Sequence, residues 1–241
     1  MLALLKKEIY QFYHSAVGWV VISLFLLVLG LFLWFFPTEM NILQSGLASL
    51  TPMFIIAPWI FIFLIPAITM RSIAEEKKEG TLEFLLTKPL SVRQIILAKY
   101  FASLVLIFIA LLPTLFYFFV VQYGLSNHQV DTGAFWGSYF GLFFLAAVFA
   151  AIGIFASTIS KSQIIAFLVG TILSAFFFLG FDLISRISLF TPVSEFIAYL
   201  GLNFHYQSIS KGVIDSRDII YFLSLIVIFI ELSVAILKSR H

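Results

Sequence analysis

The sequence predicts an all-α polytopic membrane protein in which six transmembrane helices form one membrane domain over residues 1–241. Composition is the first reason. Hydrophobic residues make up 62% of the chain and charged residues 11%, against about 25% charged in a soluble domain. Mean hydropathy is +1.10. The second reason is run length. Apolar runs cover residues 17–36, 53–73, 100–123, 134–158, 164–181 and 219–237, and about 20 apolar helical residues cross a bilayer core about 30 Å thick. The third is the placement of basic residues. With the N-terminus on the cytoplasmic side, eleven of the 14 lysines and arginines fall in cytoplasmic segments and only Arg186, Lys211 and Arg217 fall outside. That asymmetry predicts cytoplasmic termini. A net charge of +2 gives no reason to expect nucleic acid as a partner. Without cysteine there is no disulfide, thiol catalysis or cysteine-ligated metal.

Residues 2–14 read as an amphipathic helix, with Leu2, Leu5, Ile9 and Phe12 on one side and Lys6, Lys7 and Gln11 elsewhere. Such a helix rests among headgroups, its lysines favouring anionic lipid; the alternative is a plain extension of the first span. The run after Lys6 and Lys7 is too long for a signal-peptide core and no small-residue cleavage site follows, so the first span is expected to be retained.

The segment between spans two and three, residues 74–99 with Arg71 just before it, holds ten of the chain's 26 charged residues. Gly80 interrupts the first helical stretch. A short helix then runs from Thr81 to Thr87 with Leu82, Leu85 and Leu86 on one face, and Pro89 ends it by pushing Lys88 out of helical geometry. Ser91 and Gln94 form a capping box for the next helix, with Leu90 and Ile95 as its hydrophobic staple. A short mixed-charge helix with apolar knobs suits the groove of a soluble partner; it equally suits a solvated loop.

Span four carries a stripe of small residues, Gly137, Gly141, Ala146, Ala150 and Gly153, that allows close helix approach within one subunit or between two. Pro58, Pro66 and Pro113 bend spans two and three or free carbonyls there. Residues 182–218 are long for a connector and too apolar for water. They read as short outer helices, with Thr191 capping one, Gly201 ending it, and Lys211-Gly212 ending the next. Glu231 lies inside span six and is expected to face the bundle or a polar cavity, as a pathway or partner site. Otherwise hydroxyls such as Ser224 or Ser233 satisfy it.

Phosphate-loop, zinc-protease and serine-hydrolase motifs are all missing, and His14, His128, His205 and His241 are scattered, which favours surface roles. The chain shows no catalytic, metal-binding or cofactor-binding chemistry of its own. Uphill work would need an ion gradient or a separate ATPase. One intramembrane acid and no convincing inverted repeat favour the ATPase.

The order Glu76, Gly80-Thr81-Leu82-Glu83, Leu85-Leu86, Pro89-Leu90-Ser91 resembles the signature loop of the type-two ABC exporter permeases. Ala57-Pro58-Trp59-Ile60 before Pro66, and residues 211–218 before the last span, are similar to the permease subunits of gliding-motility ABC transporters, and this likeness runs over nearly the whole chain. The resemblance implies a multi-pass permease in a bacterial inner membrane, linked to gliding motility and secretion. It implies a cytoplasmic ABC ATPase that holds ATP and Mg, and a second membrane subunit or a second copy of the chain. It also implies a coupling helix in residues 74–99. On that pattern Leu82, Leu85 and Leu86 would enter the ATPase groove, Glu76, Glu79, Glu83 and Lys88 would orient it, and Gly80, Thr81 and Pro89 would shape the turn. Two other readings stand beside it: a non-transporting membrane anchor for an ATPase, and a proton-coupled carrier using Glu231.

Overall fold

The computed structural model describes residues 1–44, 49–125, 131–187, 192–212 and 215–239. The described residues are helical, with no strand among them. Helix α1 (Leu2–Tyr13) is followed by α2 (Ala16–Gly30), α3 (Thr51–Thr69), α4 (Ala74–Glu79), α5 (Leu82–Leu86), α6 (Val92–Leu111) and α7 (Leu115–Val120). Then come α8 (Thr132–Ile159), α9 (Gln163–Ala175), α10 (Phe181–Ser185), α11 (Ser194–Tyr199), α12 (Leu202–Ile209) and α13 (Ser216–Lys238). Among the described residues, six continuous helical stretches are long and apolar enough to cross a membrane. An even number of crossings brings both termini to one end of the bundle.

The third helix starts earlier than its apolar run. The box at Ser91 is complete: its hydroxyl accepts from the Gln94 amide, and the Gln94 side chain accepts from the Ser91 amide. Two terminal N–H groups are satisfied there, so the helix begins at Val92, as the box at Ser91 predicts, and Lys99 is its eighth residue. The first, third and fifth spans each contain a widened π turn toward the end away from the termini, at Leu31–Phe35, Val121–Leu125 and Phe176–Gly180. Pro113 falls in a 3₁₀ turn between α6 and α7. The Leu111 carbonyl there accepts from Thr114 (2.7 Å) and Tyr139 (2.6 Å) hydroxyls.

Helix α8 is the most buried span and packs on α3, α6, α9, α12 and α13. Its small-residue stripe explains the approach. A Cβ on Gly153 would lie 2.0 Å from Thr69 Oγ1, one on Gly141 2.5 Å from Ile209 Cγ2, and one on Gly137 2.9 Å from Gly212 Cα. Ala146 and Ala150 are fully buried. The stripe's glycines thus meet segments of their own chain.

At the end away from the termini, α12 inserts into the bundle through Leu202, His205, Tyr206 and Ile209, while Phe196, Tyr199 and Phe204 stay exposed. The Tyr206 hydroxyl donates to the Phe54 carbonyl at 2.6 Å; burial pushes this phenol well up, so it remains a donor. Gly212 (φ 83°) ends the turn beneath α8, where a Cβ would meet Ala134 Cα at 2.5 Å. The expected cap at Thr191 lies outside the described residues, as do Arg240, His128 and His241.

Candidate functional site at the charged end of the bundle

The end that carries the termini concentrates the charge. As α3 runs out, residues 70–73 turn, and Ser157 of α8 holds the turn. Its hydroxyl accepts from the Ile73 and Ala74 amides and donates to the Met70 carbonyl, each at 3.0 Å. Lys77 reaches across to donate to the Thr158 carbonyl. These bonds root α4 on the bundle. Gly80, left-handed at φ 70°, then reverses the chain into α5 at little steric cost.

Under α4 sits a buried ion cluster. Lys99, with its side chain 1% exposed, donates to Glu8 of α1 at 2.8 Å and to Glu76 of α4 at 2.9 Å. One ammonium therefore ties the N-terminal helix, the segment after span two and the start of span three. Beside it is a polar cavity of about 260 Å³ between α1, α4 and α6. Reading the sequence missed the pairing of Lys99 with Glu8 and Glu76, because partners 91 and 23 residues away leave no local signal.

The faces of the short helices differ from the expected ones. Leu85 is buried against Leu4, Ile95 and Ala98, with Leu86 and Leu90 packed on that cluster, and Leu82 packs on the main core. Leu85 points into the protein, not outward as a free knob, because it packs on α1 and α6, whereas Leu82 and Leu86 are half-buried and line an open cavity with Lys77, Lys161 and Leu237. The exposed apolar group is Phe84, at 74% exposure, flanked by exposed Glu79, Thr81, Glu83, Lys88 and Pro89. Glu76, expected at the rim, is turned inward to Lys99. On α1, Leu5 and Phe12 of the predicted stripe pack on the bundle together with Leu4 and Glu8, while Leu2 at the stripe's start is exposed.

Glu231 lies within the sixth span as expected, but it does not face the bundle interior. It pairs with Arg93 at 2.5 Å on the outer surface of the bundle, with side-chain exposures of 44% and 62%. Its helix ends about 10 Å further on, at 1.5 Å per residue. The early start of α6 brings Arg93 alongside, so neither a bundle-facing acid nor hydroxyl partners are needed. Ser224 and Ser233 donate instead to the carbonyls of Tyr221 and Phe229. His205, expected at the surface, is fully buried at the other end. Its Nε2 donates to the Tyr199 carbonyl at 2.8 Å, and Nδ1 meets Asp218 Oδ1 at 2.7 Å.

Fold and site together define a multi-pass helical membrane component with a charged, structured crossing between its second and third spans. The family model for ABC-2 family transporter proteins matches residues 2–240, and the chain belongs to that family. Proteins of this family are membrane transport components, generally not catalytic themselves, and they work with ABC ATPase partners. No curated protein matches the chain.

Proposed function

We propose that this chain is the permease subunit of an ATP-driven exporter in a bacterial inner membrane, and that residues 74–99 receive the ATPase. The observation that carries the reading is Phe84. It is a fully presented aromatic on a five-residue helix whose other face is locked to the bundle. An exposed aromatic ringed by charges is the composition of an interface anchor with a steering rim. Glu79, Glu83 and Lys88 form that rim, and Glu76 acts beneath it through Lys99. The excess of basic residues at this end supports a cytoplasmic placement of both termini and this segment. ATP and Mg belong to the partner ATPase.

A second copy of the chain, or a related membrane subunit, covers the apolar groove of about 610 Å³ between α2, α3 and α9. The likeness to GldF, the permease subunit of the gliding-motility ABC transporter, points to a role in gliding and secretion. The pairing of Glu231 with Arg93 speaks against the proton-carrier reading.

The test is affinity purification from native membranes with identification of what is captured. Wild type should bring an ABC ATPase and Phe84→Asp should lose it while keeping the wild-type melting temperature. Leu85→Asp should instead lower that temperature, since it places a charge among Leu4, Ile95 and Ala98. ATPase capture undiminished by Phe84→Asp would overturn the assignment.

A further inference from the structure

The polar cavity beside the ion cluster has two kinds of wall. Phe12, Ile68 and Leu106 form an apolar side toward the spans, while Arg71, Glu76 and Lys99 form a polar side. Two atoms on the polar side are buried without a hydrogen-bond partner, Arg71 Nε and Glu76 Oε2. One is a donor and the other an acceptor. Buried polar groups are ordinarily paired, and each left unpaired carries a desolvation cost that a ligand can relieve.

The local charge narrows the ligand. The cavity is lined by Lys7, Arg71 and Lys99 and by Glu8, Glu75, Glu76 and Glu79, so charges of both signs face it. A zwitterion complements both signs, whereas a simple anion would meet the carboxylates as well as Arg71. The volume of about 260 Å³ has room for the eight heavy atoms of a phosphoethanolamine group with water beside it. Depth agrees as well. Arg71 follows directly on α3, and Lys99 is in the third turn of α6, so the cavity lies where apolar helix gives way to charge, the level of phospholipid headgroups.

We infer that this cavity binds the phosphoethanolamine headgroup of a membrane phospholipid, its phosphate accepting from Arg71 and its ammonium donating to Glu76. The acyl chains leave along Phe12, Ile68 and Leu106. A lipid so held touches α1, the end of α3, α4 and α6, and stabilises the joint beneath the crossing segment only when bound. This goes beyond the exporter reading and does not rest on it, since it needs only the membrane and the cavity.

The experiment uses full-length protein, purified in detergent and stripped of lipid. Phosphatidylethanolamine, phosphatidylglycerol with identical chains, soluble phosphoethanolamine and inorganic phosphate are each added, and both the melting temperature and lipid retention by native mass spectrometry are read. Phosphatidylethanolamine should raise the melting temperature of wild type and bind about tenfold more tightly than phosphatidylglycerol. The soluble compounds should have little effect. Arg71→Gln should erase that preference, and Lys78→Ala, at an exposed lysine outside the cavity, should retain it. Equal response to the two lipids shows water or unselective lipid in the cavity and overturns the inference. Equal response to inorganic phosphate shows a plain anion site and does the same. If Arg71→Gln does not fold, the wild-type discrimination between lipids decides the matter, and Glu76→Gln, which keeps the side chain's shape but loses its charge, should reduce it.

Discussion

The two ends of the bundle each bury a paired ionisable side chain, and they use it differently. At the end with the termini, Lys99 joins Glu8 and Glu76, which lie 91 and 23 residues away in sequence. The cluster leaves Glu76 Oε2 without a partner beside a polar cavity, with Arg71 Nε unpartnered nearby. At the other end, His205 joins Asp218, 13 residues away, and is closed in by the rings of Tyr199, Phe204 and Tyr221. One cluster is a joint between separate pieces of chain and the other is a seal within a single corner. A joint that gathers α1, α4 and α6 suits elements that must respond to a partner together. A seal of stacked rings suits an end that stays closed.

Breaking the joint should cost most. Lys99→Met leaves two half-buried carboxylates, 17% and 15% exposed, without a counter-charge, and removing one member of a fully buried ion pair costs about 3–5 kcal/mol, an upper bound here. The melting temperature in detergent should fall sharply and protease should gain access to residues 74–99. A variant that melts like wild type would show that the cluster is not structural. At the seal, His205→Ala orphans one carboxylate, Asp218, whose Oδ2 already lacks a partner. Here the expected loss is about 1–3 kcal/mol, and protease sensitivity should rise around α11 and α12 but not around α4.

Between the ends, Gly153→Ala forces a methyl against Thr69 Oγ1. Overpacking of this kind costs about 1–3 kcal/mol, and Gly133→Ala, where the nearest atom is 3.4 Å away, is the matched control in the same melt. Smallest of all is Phe84→Ser, an exposed change expected within about 0.5 kcal/mol of wild type. The same variant should bind the ATPase poorly in the capture assay. That separation of stability from binding distinguishes Phe84 from Leu85, its neighbour on a single helical turn.

Much of this was readable before any tertiary structure. Gly80 ends α4 and Ser91 starts α6 because their signals are local: a left-handed residue in one case, reciprocal bonds three residues apart in the other. What misled the reading was direction. The helix starting at Ser91 and the depth of Glu231 in span six were legible, but not that Arg93 and Lys99 on the first turns of α6 face Glu231 and the pair of Glu8 and Glu76. Direction failed for α5, since three leucines on one face mark an apolar side without saying what lies against it. That required knowing that Leu4 of α1 comes back to meet Ile95.

The sequence by itself determined the six spans, their order, the break at Gly80, the restart at Ser91 and the small-residue stripe of α8. Each follows from residues within a few positions of one another, where helical periodicity, capping and steric freedom act. Only the tertiary structure decided that Lys99 takes Glu8 and Glu76, that Arg93 takes Glu231, that His205 is buried on Asp218, and that Phe84 rather than Leu85 faces outward. Those choices join residues up to 138 positions apart, and no local preference can select among charges of the same kind until packing has brought particular ones within reach.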